Sequence, residues 1–290
     1  YLDWNATTPL RPEAKAAMVA AMEVPGNPSS VHGEGRAAKA LIERARAQVA
    51  AALGAEGQDV IFTSGATEAA SLALAGRGLA CAGVEHDAVQ AWCAPSLAVD
   101  GLGRVSVPDP ARATLQLANS ETGVIQSLPE GLAVSDLTQA FGKIPFAFNW
   151  LGLTAGIVSA HKLGGPKGIG ALYIRKGIVI PNFMNGGAQE NKRRAGTENT
   201  PGIIGFGKAA ELAEANLEEH IKRLTELRNY FIEQITSKIS EVEVNGSMEY
   251  RLPGNTNFLF NYIEGEAMLL LMDSRGIYAS TGSACSSASL

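Results

Sequence analysis

Short apolar runs alternate with longer stretches of helical period along most of this chain, and that alternation restricts it to sheets covered by helices. Strand-like runs are "DVIFTS" (59–64), "TLQLA" (114–118), "LAVSD" (132–136), "GIVSA" (156–160) and "GALYIR" (170–175). Each is brief and nearly all apolar, as strands of a buried parallel sheet are. Helical periods begin at Arg11-Pro12, where proline suits a first turn, and at about His32, running through "GRAAKALIERARAQVAAAL". From Pro201 a further helical pattern rich in Glu, Lys and Leu reads as a connector. Beyond it, "EVEVN", "NTNFLFNYI", "EAMLLLMDSRG" and "IYAS" read as strand, strand, helix and strand. The expected architecture is α/β: a large domain (13–215) with a mostly parallel mixed sheet between helices, and a smaller α+β domain formed by 1–12 and 216–290.

Composition narrows the function classes. The 290 residues are 46% hydrophobic and 18% charged, enough apolar material for a sizeable core. No run approaches the roughly 18 apolar residues of a membrane span, and "YLDWNATTPL" has no basic-then-apolar leader, so a cytoplasmic protein with no membrane role is expected. The net charge is −5, and the basic trio Lys192-Arg193-Arg194 is too short to track a nucleic-acid backbone. It reads as a solvated loop. Cys81, Cys93 and Cys285 cannot all pair and lack CxxC spacing, which argues against a disulfide framework or a zinc site.

Candidate chemistry gathers where strands end, the ligand-binding edge of open α/β sheets. "TSGATE" follows one strand and opens a helix, so its backbone N–H groups and the Thr67 hydroxyl suit a phosphate. Asp136 ends a second strand, followed by Gln139; "SAHK" ends a third with Ser159, His161 and Lys162. Singly, each reads as a cap or a surface charge. Together, an anion cradle, a carboxylate and an amine are what pyridoxal 5′-phosphate requires: a phosphate site, a partner for the pyridinium nitrogen and a Schiff-base lysine. With an ordinary pKa near 10.4, roughly one lysine in a thousand or fewer is neutral at pH 7. The site must therefore favour the free amine, with His161 and the adjacent glycine loop as contributors.

The nine stretches "YLDWNATTPL", "GNPSSVHGEGR", "FTSGATEA", "EHDAV", "ANSETGVIQ", "DLTQAFGKIP", "SAHKLGGPKGIGALY", "RRAGTENTPGIIGFG" and "STGSACSS" occur in an order that resembles the cysteine desulfurases of the class V aminotransferases, from residue 1 to 290. The resemblance implies a fold-type I enzyme, dependent on pyridoxal 5′-phosphate and acting as a homodimer. It implies Lys162 as the Schiff-base lysine, Asp136 on the ring nitrogen, Gln139 on the ring oxygen and His86 stacked on the ring as a proton carrier. Ala66, Thr67, Ser159 and His161 would hold the phosphate, joined by Thr197 from the other subunit, with Asn119 also in the cofactor region. Cys285, among small residues, would be the nucleophile that takes sulfur from L-cysteine, leaves L-alanine and passes a persulfide to an acceptor such as an iron–sulfur scaffold. Cys81 and Cys93 read as buried fillers.

Some positions depart from the family pattern. Ser120 stands where the family commonly has a second asparagine before the glutamate of "NNETG". Segments between Thr67 and His86, His86 and Asn119, and Gln126 and Asp136 are shorter than is common. The family carries the arginine that binds the substrate carboxylate in a stretch after "SSASL", and the present sequence ends at Leu290. Two other readings stay open at this point: another class V enzyme, such as an aminotransferase or selenocysteine lyase, or a cofactor-binding scaffold for sulfur-transfer partners.

Overall fold

The computed structural model describes residues 1–56, 60–180 and 184–282. Strands β1 (Val60–Thr63), β2 (Ala80–Ala82), β3 (Ala94–Leu97), β4 (Ser135–Asp136), β5 (Ala155–Ser159) and β6 (Gly170–Ile174) build its sheets. Four of them pair in the order β1-β6-β5-β4; β6 runs antiparallel to both neighbours, and β4 and β5 run parallel. β2 and β3 form a parallel pair. The run 114–118, expected as a strand, is extended but forms only isolated bridges. It still joins the two sheets: Thr114 N–H donates to Ala80, while Leu115 and Leu117 donate to Val134 and Asp136. Its side chains are buried without alternation. The expected strand 132–136 shortens to its last two residues for the same reason, since Val134 forms only a single bridge, to Thr114, and Leu132 and Ala133 form none.

Helices α1 (Pro12–Met22), α2 (Gly33–Leu53), α3 (Ala66–Leu74), α4 (Asp87–Gln90), α5 (Phe148–Leu151), α6 (Thr200–Ala215) and α7 (Leu217–Lys238) surround these strands. α2 shows why the pattern was readable. His32 caps it by accepting from Gly35 N–H, Ala38, Ile42, Ala45, Val49 and Leu53 share its buried face, and left-handed Gly54 ends it. α6 starts under the Asn199 cap and lies against α2 so closely that a Cβ on Gly207 would fall 2.8 Å from the Ala45 Cα. The long helical pattern from Pro201 is thus two helices, broken at Asn216. Phe62 and Phe141 pack edge-on against Phe206, each at 6.3 Å between ring centres, at the centre of the core.

After α7, β7 (Val242–Val244) and β8 (Phe258–Phe260) pair antiparallel and α8 (Gly265–Asp273) follows. "IYAS" is not a strand; it is a loop whose Tyr278 carbonyl accepts from Leu2 N–H. Without a neighbouring ladder, β-rich composition alone does not make a strand.

The basic trio is also no plain solvated loop. Arg194 pairs with Glu68 at 2.8 Å, and the neighbouring turn is held by a buried ion pair. Glu190 accepts two hydrogen bonds from Arg46, at 2.7 and 2.8 Å, and one from Phe62 N–H. Arg46 also donates to the Val60 carbonyl, so one pair ties α2, β1 and the 189–192 turn together. Glu190, Asn191 and Lys192 all have left-handed φ of 46°, 55° and 64°, a costly backbone that this anchor holds in place. Removing one partner of such a pair strands a buried charge. Glu190→Ala is expected to lower stability by about 3 to 5 kcal/mol in urea unfolding, and the double change Arg46→Met with Glu190→Met by clearly less.

Candidate active site

β5 ends at Ser159 and turns at once into a 3-10 turn, Ala160–Lys162, which sends the Lys162 side chain back under the sheet edge. Lys162 is only 8% exposed, and its Nζ donates to the carbonyls of Asn5 and Ala6, the latter at 2.9 Å. The chain's first residues therefore wrap the lysine: Thr8 N–H and hydroxyl both donate to the His161 carbonyl, and the Thr7 hydroxyl lies 3.1 Å from His161 Nδ1. β4 runs parallel to β5 and ends beside it at Asp136, whose Oδ1 accepts from Thr138 N–H. Asp136, Gln139, Ser159, His161 and Lys162 all line one cavity of about 450 Å³.

The turn before α3 lines the same cavity. Ala66 and Thr67 line the cavity, Gly65 stands at the helix N-cap and no side chain caps it, so the first-turn N–H groups face an open site. Gly170 in β6 makes room for this turn, because a Cβ there would lie 2.8 Å from the Gly65 Cα. Glu68 fixes the turn from behind, accepting from Ser64 N–H at 2.7 Å and from Arg194. His86 is the N-cap of α4 and also lines the cavity. Its Nδ1 accepts from Ala88 N–H, which puts the proton of the neutral ring on Nε2.

Not every expected residue reaches this cavity. Asn119 does not line it: its Oδ1 accepts from Glu121 N–H, Thr122 N–H and the Thr122 hydroxyl, and its Nδ2 donates to the Val84 carbonyl. Ser120 lines the cavity in its stead. Thr197 is exposed and lines a second cavity of about 180 Å³, which shares Ser64 and Gly168 with the first. Cys285 lies outside the described residues. Cys81 is buried, as expected, and Cys93 is half-buried, and burial pushes their thiols up to about 11 and about 12.

The structure sets the charge of His161, which the sequence left open. Burial, together with Lys162, Lys167, Lys143 and His86, brings it down to about 4, so it is neutral at pH 7 and supplies no positive charge to the lysine. The nearby basic side chain is one that sequence reasoning assigned no role: Lys143, held at about 7 by burial and by Lys162. It donates to Gln139 Oε1 at 2.6 Å. Glu85 was missed as well. It is buried, its Oε1 accepts from Gln116 N–H at 2.6 Å, and its Oε2 has no hydrogen-bond partner among the described residues. Burial, then the Asp136 charge, raises it to about 8. Both stand inside motifs read for other residues, "DLTQAFGKIP" and "EHDAV".

A carboxyl raised from 4.5 to about 8 holds a proton in the folded state that the unfolded chain releases between those values. Its contribution to stability is complete below pH 4.5 and falls as pH rises toward 8. Glu85→Gln removes that loss, so the stability of the variant relative to the native chain should increase by at least about 1 kcal/mol from pH 5 to pH 8 in urea unfolding. His161 acts in the opposite direction and lower on the scale, its contribution being lost as pH falls from 6.5 toward 4.

Comparison with known proteins agrees with this geometry. The aminotransferase class-V family model matches residues 1–89 and 104–290. A protein named cysteine desulfurase IscS from Dictyoglomus turgidum is 44% identical over 326 aligned residues, which cover 100% of this chain and 83% of the relative. One of the same name from Methanosarcina thermophila is 43% identical, covering 100% of this chain and 80% of that one. Among solved structures, the NifS-like protein of Rickettsia africae superposes with a TM-score of 0.91 at 31% identity, over 98% of this chain and 88% of that one. Another NifS-like protein gives 0.87 at 31% identity, covering 96% of this chain and 86% of the other. With its sheet order, its strand-end lysine and aspartate, and these relatives in agreement, the chain belongs to the class-V aminotransferase family, alongside the cysteine desulfurases.

Proposed function

We propose that this protein is a cysteine desulfurase that uses pyridoxal 5′-phosphate to convert L-cysteine to L-alanine, its sulfur passing to Cys285 as a persulfide and from there to an acceptor for iron–sulfur or thio-cofactor assembly. The observation that carries the reading is the convergence of an uncapped helix N-terminus, a strand-end carboxylate and a buried lysine on one 450 Å³ cavity. Class V aminotransferases and cysteine desulfurases generally depend on pyridoxal phosphate, and the residues here fit it. The free N–H groups of the α3 turn suit a phosphate, and the polar groups on the far side suit a protonated ring nitrogen and a ring oxygen.

When bound, the cofactor supplies an electron sink for the substrate carbon that loses its proton. The chain supplies the rest. Ala66, Thr67, Ser159 and neutral His161 hold the phosphate, a placement supported by their common lining of the cavity, and Thr197 of a second copy of the chain completes that site. Asp136 keeps a proton on the ring nitrogen. Gln139 donates to the ring oxygen. Lys162 moves the substrate proton with its Nζ, and the Asn5 and Ala6 carbonyls orient that nitrogen. His86 stacks on the ring and holds a proton at Nε2, the atom left free by the Ala88 N–H bond. The Cys285 thiolate takes the sulfur atom of cysteine, so that thiol plus cysteine become persulfide plus alanine.

Residues 13–215 then serve as the cofactor-binding domain, with 1–12 and 216–290 as the smaller one. Among the described residues no helix is long and apolar enough to cross a membrane, and a cytoplasmic site of action suits the proposed chemistry. The reading as another class V enzyme differs in needing no thiol at position 285.

Borohydride reduction of the protein loaded with pyridoxal 5′-phosphate, followed by peptide mass mapping, should mark the peptide containing Lys162; label elsewhere, or none, sinks the assignment. Lys162→Ala should reduce alanine release from cysteine by at least about a hundredfold, the lower range for a positioned proton carrier. Cys285→Ser should bind the cofactor with its native spectrum yet yield no sulfide with a thiol reductant present.

A further inference from the structure

Gln139 meets two groups of opposite kind. Its Nε2 donates to the Asn5 carbonyl at 3.0 Å, and its Oε1 accepts from Lys143 Nζ at 2.6 Å. A carbonyl only accepts, and a lysine nitrogen carries protons to donate in either charge state, so this pair of neighbours admits one orientation of the amide. The amide nitrogen is turned toward the edge where Asn5 also receives Lys162, and its second N–H remains for the cavity that Gln139 lines. Lys143 does not line that cavity. It stands one turn beyond Gln139, where the bonds from Phe141 N–H to Leu137 and from Ile144 N–H to Ala140 form a helical turn that brings residues i and i+4 together.

We propose that Lys143 is a positioning residue: by occupying Gln139 Oε1 it presents the amide N–H edge of Gln139 to the cavity, and so sets recognition of the cofactor's 3-oxygen. The assignment rests on the pyridoxal phosphate reading given above. Nothing in a plain structural role for a half-buried lysine demands this effect. A stem that only fills space affects every ligand of the cavity alike, whereas an amide turned the wrong way affects only ligands that carry the 3-oxygen. Without Lys143 the Asn5 bond alone holds the amide, and Oε1, unsatisfied in a buried place, is relieved when the amide gives up that bond and turns its oxygen toward the open cavity.

The test is equilibrium binding to the purified protein resolved of cofactor. The two probes are 4-deoxypyridoxine 5′-phosphate, which cannot condense with Lys162, and its 3-deoxy analogue. The native protein should prefer the first by about five- to tenfold, the range of one good hydrogen bond. Lys143→Met, which keeps the apolar stem, should reduce that preference below about twofold with affinity for the 3-deoxy analogue unchanged, and Lys143→Arg, a donor-only head, should keep it. A Lys143→Met protein that keeps the preference, or that loses affinity for both probes equally, overturns the assignment. Should Lys143→Met not fold, the Arg variant decides: a folded protein without the preference overturns it, and one with the preference supports it. Native protein that binds both probes equally sinks the role of Lys143 but leaves the cofactor reading standing; native protein that binds neither sinks both.

Discussion

The site depends on how one lysine is buried. A lysine nitrogen beneath a sheet edge is costly unless acceptors meet its N–H groups, and here they come from the backbone of residues 5 and 6. That requirement organises much of the surroundings. It calls for an N-terminal segment lying across the ends of β4 and β5, and Thr7, Thr8 and Arg11 pin that segment to residues 161–164. The same segment reaches the C-terminal part, where Leu2 donates to Tyr278 and the Ser280 hydroxyl donates to Asp3. The first residues of the chain are thus a strap between the lysine and the segment that leads toward Cys285.

A second layer of support lies one shell further out and uses charge sparingly. Glu68, paired with Arg194, braces the phosphate turn and joins it to the loop that bears Thr197. Glu190 and Arg46 anchor the strained turn before that loop. Glu85 lies behind Asp136 as a carboxyl raised to about 8, so at neutral pH it is largely protonated and adds little negative charge beside the aspartate. Lys143 sits behind Gln139. Arg194 and Lys143 each bond a residue that lines the cavity, Glu68 and Gln139, the arrangement by which a rigid scaffold keeps a functional side chain in a single geometry.

How much of this was legible varies with the physics of each element. Helices α1 and α2 were plain because their burial repeats at 3.6 residues and their starts carry Pro12 and His32, whereas α6, buried without a break from Gly202 to Gly207, ran on into α7 as one pattern. β1, β5 and β6 were plain as short apolar runs. β2 and β3 were not, since "ACA" and "APSL" carry little strand signal and pair only because the fold brings them together. The run 114–118 and "IYAS" had strand composition without a continuous ladder. Among site residues, Asn119 was assigned by resemblance to the cofactor region; that its Oδ1 serves its own turn and its Nδ2 the Val84 carbonyl is visible only in the fold. His161 was read as a contributor to a neutral Lys162, and it is itself brought down to about 4, by burial first and then by three lysines and a histidine.

The sequence by itself determined the class of fold and the chemical cast: an alternating pattern that must bury strands under helices, and strand ends bearing Asp136, Lys162 and the "TSGATE" turn. Those are local properties, set by period, capping and residue type. Only the tertiary structure decided which backbone oxygens receive Lys162, which way the Gln139 amide faces, and that Glu85 and His161 are held neutral. Hydrogen-bond direction and proton affinity depend on neighbours up to 157 positions away along the chain, and no local pattern encodes them.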